Sequence, residues 1–241
     1  MKLLSAAVAA TLLAGLVAGI PIFAEVQQKT AKIGKTTVQY KVILPKNYDS
    51  AKAHPAVLAF GGGPQTMDVV DRTIQRNWQK EAESRGYIVI LPAAPDGVLF
   101  FEGGEKIFPE FLTKILADYR IADNKFDAAG MSNGGISAFH VAALHPQYFE
   151  SITGFPGYLP EATPARLKNI SKMCIKMYAG DLDTDWRDDM RKQASEFRAM
   201  GMNVKFSAEK GQHHLIGTLA GDGAARLFDG FDEARKGCAA K

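Results

Sequence analysis

The strongest constraint on this chain is a set of short apolar runs, each stopped by glycine or proline and separated from the next by a helical pattern. Ala56–Phe60 (AVLAF) ends at Gly61-Gly62-Gly63-Pro64, and Tyr87–Leu91 (YIVIL) ends at Pro92. Lys125–Ala129 runs into Gly130, and Ser151–Phe155, Met173–Tyr178 and Val204–Ala208 read as further strands. Helical periodicity falls at about 69–85, 108–119, 135–144, 188–200 and 219–234. Continuous apolar strands alternating with helices imply a mostly parallel sheet covered by helices on both faces. Thr36–Leu44 instead alternates polar and apolar residues and reads as an edge strand. The fold class is therefore α/β. No repeat, linker or shift of composition divides the chain, so a single domain is expected, with its site at the C-terminal ends of the strands.

Residues 1–24 stand apart. Lys2 is followed by an uncharged stretch, Leu3–Phe23, and by Ile22 and Ala24 at the small-residue positions of a cleavage site. This reads as a signal peptide removed after Ala24, leaving 25–241 as the catalytic domain of a secreted or periplasmic protein with no stable membrane insertion. A retained anchor is the competing reading, since about 20 apolar residues can span a bilayer. Export permits a disulfide between the two cysteines, Cys174 and Cys238, although two unpaired thiols is the plainer expectation. Lys and Arg number 29 against 26 acids, and they are interleaved rather than clustered, which argues against nucleic acid as a partner.

The residues able to do chemistry fall after successive strands. Gly130-Met131-Ser132-Asn133-Gly134-Gly135 sits where a strand ends and a helix begins. A serine on such a sharp turn projects its hydroxyl into open space, and its flanks must be small because strand and helix crowd them. The serine needs a base. Of the five histidines, His54, His140 and His145 occupy positions typical of packing or surface residues, whereas His213-His214 follows the last strand. His214 is the favoured base, with His213 as fallback or as a neighbour lining the site. The base needs an orienting carboxylate. Asp181, Asp183 and Asp185 follow the strand that ends near Gly180, and Asp183 is favoured. This acidic stretch resembles a calcium loop, but Trp186 and Lys192 stand where an EF-hand needs Gly and Glu, so no metal is called. The Gly61–Gly63 loop can turn backbone N–H groups into the site as oxyanion donors, with the amide of Asn133 as the second donor; Pro64 has no N–H to offer. No Gly-Lys-Ser/Thr follows the glycines, which excludes a phosphate loop. Phe101, Tyr158 and Trp186, loop aromatics, are candidate substrate contacts.

Taken together these residues resemble the α/β-hydrolase superfamily across essentially the whole of 25–241. The Gly-Met-Ser-Asn-Gly-Gly turn, together with His145-Pro146-Gln147-Tyr148-Phe149 and Phe155-Pro156-Gly157, is most similar to the secreted polyhydroxybutyrate depolymerase and feruloyl esterase group. The resemblance implies an α/β-hydrolase fold, a Ser132–Asp183–His214 triad, an oxyanion hole from Gly62 and Asn133, and hydrolysis of a small-molecule or polymeric ester without a cofactor; the length of 25–241 leaves little room for a large lid. Members of that group often carry His-Gly where this chain has Phe60-Gly61, a departure that bears on substrate preference. A serine peptidase of the same fold and a non-catalytic binding protein on the same scaffold are the alternatives.

Overall fold

The computed structural model describes residues 26–238, so the leader assigned to 1–24 lies outside the described residues. Its framework is an eight-stranded sheet of order β1-β2-β4-β3-β5-β6-β7-β8. The strands are β1 (Val26–Ile33), β2 (Thr36–Ile43), β3 (His54–Phe60), β4 (Ile88–Pro92), β5 (Ile121–Gly130), β6 (Phe149–Gly154), β7 (Cys174–Gly180) and β8 (Val204–Glu209). β2 pairs antiparallel with β1 and with β4, while β3 to β8 pair in parallel.

β1 was not foreseen, and it corrects the reading of β2 as the edge. Its sequence, VQQKTAKI, is too polar to alternate clearly, and it joins the sheet through a two-residue turn at Gly34-Lys35 that sets Ile33 opposite Thr36. A polar strand with two lysines suits an exposed edge, where charge discourages pairing with other chains.

The strand pleat divides the core between two faces. Ala56, Leu58 and Phe60 of β3 belong to one buried cluster, and Val57 and Ala59 belong to the other. The first face is covered by α3 (Phe108–Asp118), α4 (Asn133–Leu144) and α6 (Thr184–Ala199). The second is covered by α1 (Met67–Thr73), α2 (Gln79–Arg85) and α7 (Ala225–Arg235). Between α1 and α2 the helix widens into a π turn at Ile74–Trp78, where a single helix was expected. The buried Trp78 anchors it edge-on against Phe155 and Phe228. Burial of a side chain of this size contributes about 2–3 kcal/mol. A short helix, α5 (Pro164–Ile170), occupies part of what reads in sequence as a loop, and Asn169 ties it to the C-terminal end of α4 by donating to Ala143 O at 2.8 Å. No helix among the described residues is long and apolar enough to cross a membrane.

Cys174 and Cys238 form a disulfide, which overturns the expectation of two free thiols. Their Cα atoms lie 5.7 Å apart because α7 returns the tail to the start of β7. Nothing in the local sequence around either cysteine encodes that return.

Candidate active site

Four loops leave the C-terminal ends of parallel strands and meet. β5 passes through Ser132 into α4, β3 leads into Gly61-Gly62-Gly63, β7 leads to Asp183, and β8 leads to His214.

Ser132 has φ 58° and ψ −126°, a left-handed backbone that a non-glycine residue adopts at a cost of about 1–3 kcal/mol. The surroundings hold it there: Ser132 N donates to Pro156 O at 2.8 Å, and Phe155 N donates to Gly130 O at 3.0 Å. The flanking glycines are steric necessities. A Cβ at Gly130 would sit 2.2 Å from Gly134 O, and one at Gly134 would sit 2.2 Å from Phe60 O. β3, β5 and α4 can therefore approach closely only without side chains at these positions.

His214 Nδ1 lies 2.7 Å from Asp183 Oδ2, in hydrogen-bonding geometry. Of the three alternating acids, Asp183 is thus the one that meets the histidine. Asp181 instead accepts from Gly211 N at 2.7 Å, and Asp185 is exposed. The loop carrying His214 is pinned at several points. Leu182 N donates to Gln212 O at 3.0 Å, and Gly217 N donates to the Gln212 side chain at 2.8 Å. Glu209, at the end of β8, accepts two bonds from Arg226 at 2.7 and 2.8 Å and one from Thr218 at 2.8 Å. The Arg226 guanidinium, with the hydroxyls of Ser207 and Thr218, holds the Glu209 carboxyl down at about 2, against the opposing effect of partial burial.

Ser132 and His214 line one cavity of about 720 Å³, bordered by Gly62, Gly63 and Met131. Gly62 lies directly against the serine: a Cβ there would stand 3.0 Å from Met131 O and 3.6 Å from Ser132 Cβ. Asn133 opens α4, so its amide has no acceptor within the helix. Its side chain donates to Gly63 O at 2.9 Å and joins the two loops.

The aromatic candidates separate. Trp186 packs edge-on against the His214 ring at 5.1 Å, and Tyr158 packs on Trp186 at 5.2 Å, so Trp186 flanks the histidine and Tyr158 touches Trp186. Phe101 is half-buried and His213 is exposed, and none of the four candidates, Phe101, Tyr158, Trp186 and His213, lines the cavity beside Ser132. The remaining histidines lie elsewhere. His54 bonds to the Asp49 and Gly86 carbonyls, and burial lowers the pKa of both His140 and His145.

Gln65 was not singled out in the sequence. It is fully buried behind the glycine loop, donates to Gly61 O at 3.2 Å and to Ser137 Oγ at 2.8 Å, and accepts from Phe100 N at 3.1 Å. Ser137 in turn donates to Asn133 O at 2.8 Å. One amide side chain thus braces both loops that border Ser132. Its place just after Gly-Gly-Gly-Pro was the available signal.

No known family model matches the sequence. Two bacterial proteins named dipeptidyl-peptidase 5 are similar over part of the chain. That of Porphyromonas gingivalis is 30% identical over 129 residues, or 48% of this chain and 19% of its own length. That of Porphyromonas endodontalis is 30% identical over 134 residues, 18% of its own length. The chain thus spans less than a fifth of these relatives. Among solved structures, a ferulic acid esterase superposes with a TM-score of 0.65 at 18% identity, covering 88% of this chain and 98% of that one. A thermostable esterase superposes with a TM-score of 0.65 at 16% identity, covering 88% of this chain and 61% of that one. The fold is that of the α/β-hydrolases. Within it, the turn at Ser132 and the loops after β7 and β8 occupy the strand ends where ligands bind in open α/β sheets.

Proposed function

We propose that this protein is an exported serine hydrolase that cleaves carboxylic esters, with Ser132 as nucleophile, His214 as general base and Asp183 as its orienting partner. The observation that carries the reading is the His214–Asp183 hydrogen bond of 2.7 Å on a histidine that shares its cavity with a strained serine. In this reading His214 Nε2 takes the Ser132 hydroxyl proton as Oγ attacks the ester carbonyl. Asp183 accepts the Nδ1–H bond, fixes the tautomer and stabilises the imidazolium. The Gly62 and Asn133 amides receive the negative charge on the tetrahedral oxygen. The protonated histidine then donates to the departing alkoxide, leaving an acyl-serine that water hydrolyses by the same proton route. The chemistry assigned to these side chains calls for no cofactor.

The likeness in shape to esterases supports the class of reaction, and the resemblance to the polyhydroxybutyrate depolymerase and feruloyl esterase group suggests where to look for substrates. The dipeptidyl-peptidase relatives support the alternative of a peptidase. Against it, a dipeptidyl peptidase must hold a free ammonium group, and among the described residues no Asp or Glu lines the cavity beside Ser132. Export rests on residues 1–24 and is supported by the disulfide, which suits an oxidising compartment.

The test is a fluorophosphonate probe with a panel of 4-nitrophenyl esters and dipeptidyl 4-nitroanilides. Labelling should map to Ser132, and Ser132→Ala should lose both label and at least about 10³-fold in ester hydrolysis. Turnover confined to the anilides would reassign the protein as a peptidase. Absence of labelling and of turnover would leave a binding protein on this scaffold.

A further inference from the structure

Two arginines, Arg72 and Arg76, line the same cavity as Ser132 and His214. They stand one turn apart, at the end of α1 and in the π turn, and so face the cavity side by side. Their helix is fixed from behind by buried Ile74 and Trp78, and by Asn77, which donates to Leu219 O at 2.8 Å. A π turn inserted in a helix frequently marks a functional position.

What sets this pair apart is that neither guanidinium is engaged in a hydrogen bond or ion pair among the described residues, Arg72 being exposed and Arg76 half-buried. Each of the other eight arginines, at 85, 120, 166, 187, 191, 198, 226 and 235, donates to a carboxylate or a backbone carbonyl. Arg72 and Arg76 have neither kind of partner among the described residues. Asp71, beside Arg72 in sequence, is taken by Lys41 instead. Among the described residues no carboxylate lines the cavity. Two guanidinium groups at the mouth of a partly apolar pocket, beside Val69, Met131 and Leu215, form a site for an oxyanion, since their planar N–H pairs match carboxylate or phosphate oxygens.

We propose that Arg72 and Arg76 select esters whose acyl portion carries an oxyanion, a carboxylate or a phosphate-type group, and seat that group while Ser132 attacks the ester carbon. The inference rests on the esterase reading and names its substrate class. The oxyanion is held and not transformed; the bonds broken and formed are those of ester hydrolysis.

The experiment compares kcat/KM for mono-4-nitrophenyl adipate, 4-nitrophenyl 6-phosphonohexanoate and neutral 4-nitrophenyl hexanoate, which share a six-carbon chain. The wild-type protein should favour an anionic ester over hexanoate by about 10-fold or more, as charge-assisted hydrogen bonds require. The preference should shrink as salt is raised to about 0.3 M, because the site is open to screening. Whichever anionic ester is favoured distinguishes carboxylate from phosphate recognition. In Arg72→Gln/Arg76→Gln the ratio of anionic to neutral turnover should collapse toward one, and Arg72→Lys/Arg76→Lys should recover part of it. A ratio unmoved by the double substitution, or a wild-type preference for hexanoate, overturns this inference while leaving the esterase reading intact. No turnover of any of the three esters, with no fluorophosphonate label on Ser132, overturns both. Should the variants fail to fold, the salt dependence of the wild-type ratio decides alone.

Discussion

Replacing Gln65 by Ala tests whether the loop beside Ser132 is held by its buried brace. Gln65 has no solvent exposure, and its amide serves three partners: Gly61 O, Ser137 Oγ and Phe100 N. Truncation leaves the Phe100 amide without an acceptor in a place where Phe100 itself is fully buried. A buried group deprived of its partner costs about 1–3 kcal/mol. The void also exposes Gly61 O and Ser137 Oγ, although water entering it offsets part of that loss. The expected destabilisation is therefore about 2–4 kcal/mol, read as a shift of the urea unfolding midpoint with an unchanged slope. Function should suffer separately. Gly61 and Asn133 are both tied to this network, so the amides on either side of the serine lose their fixed spacing. Complete loss of one oxyanion donor costs about 10²–10³ in rate, and a loosened donor should cost about 10-fold in kcat with KM nearly constant. Gln65→Glu should not restore either property, because a carboxylate can accept from Phe100 N but cannot donate to Gly61 O or Ser137. The reasoning is refuted if Gln65→Ala unfolds within about 1 kcal/mol of wild type, or if it raises KM and leaves kcat untouched.

Three further outcomes follow from the geometry. His214→Ala should lose at least about 10³-fold in ester hydrolysis, whereas exposed His213→Ala should keep most of it; the reverse result would reassign the base. Reducing the Cys174–Cys238 bond, or making Cys238→Ser, reopens a link across 64 residues, for which chain entropy predicts a loss of up to about 4 kcal/mol in urea unfolding. Turnover should survive, since the bond joins the start of β7 while the site lies at the opposite ends of the strands; a fall in kcat with stability unchanged would contradict this. Glu209, with its carboxyl held at about 2 instead of the ordinary 4.5, contributes stability that is fully present above about pH 4.5 and drains as pH falls toward 2. Glu209→Gln should flatten that part of the profile of unfolding midpoint against pH, and an unchanged acid slope would remove the Arg226 pair from the account.

Periodicity and punctuation in the sequence were enough to determine the α/β architecture, because a strand buried on both faces must be apolar throughout and must stop where glycine or proline stops it. They also picked out Ser132, Asp183 and His214 as candidates, each following a strand, and the structure sets His214 against Asp183 and in one cavity with Ser132. β1 escaped because an edge strand needs only pairing, not an apolar face, and its residues VQQKTAKI carry little pattern. The choice among Asp181, Asp183 and Asp185 needed the actual path of the loop, although the spacing pointed to the middle one. The disulfide, the brace at Gln65 and the two unpaired arginines were beyond any local reading. Each depends on which distant segment the folded chain sets alongside it: α7 returning Cys238 to β7, Phe100 coming within reach of Gln65, and Lys41 drawing Asp71 away from Arg72. Local propensity acts over a few residues, whereas charge compensation and hydrogen-bond satisfaction are settled by neighbours in space, and only the tertiary structure supplies those.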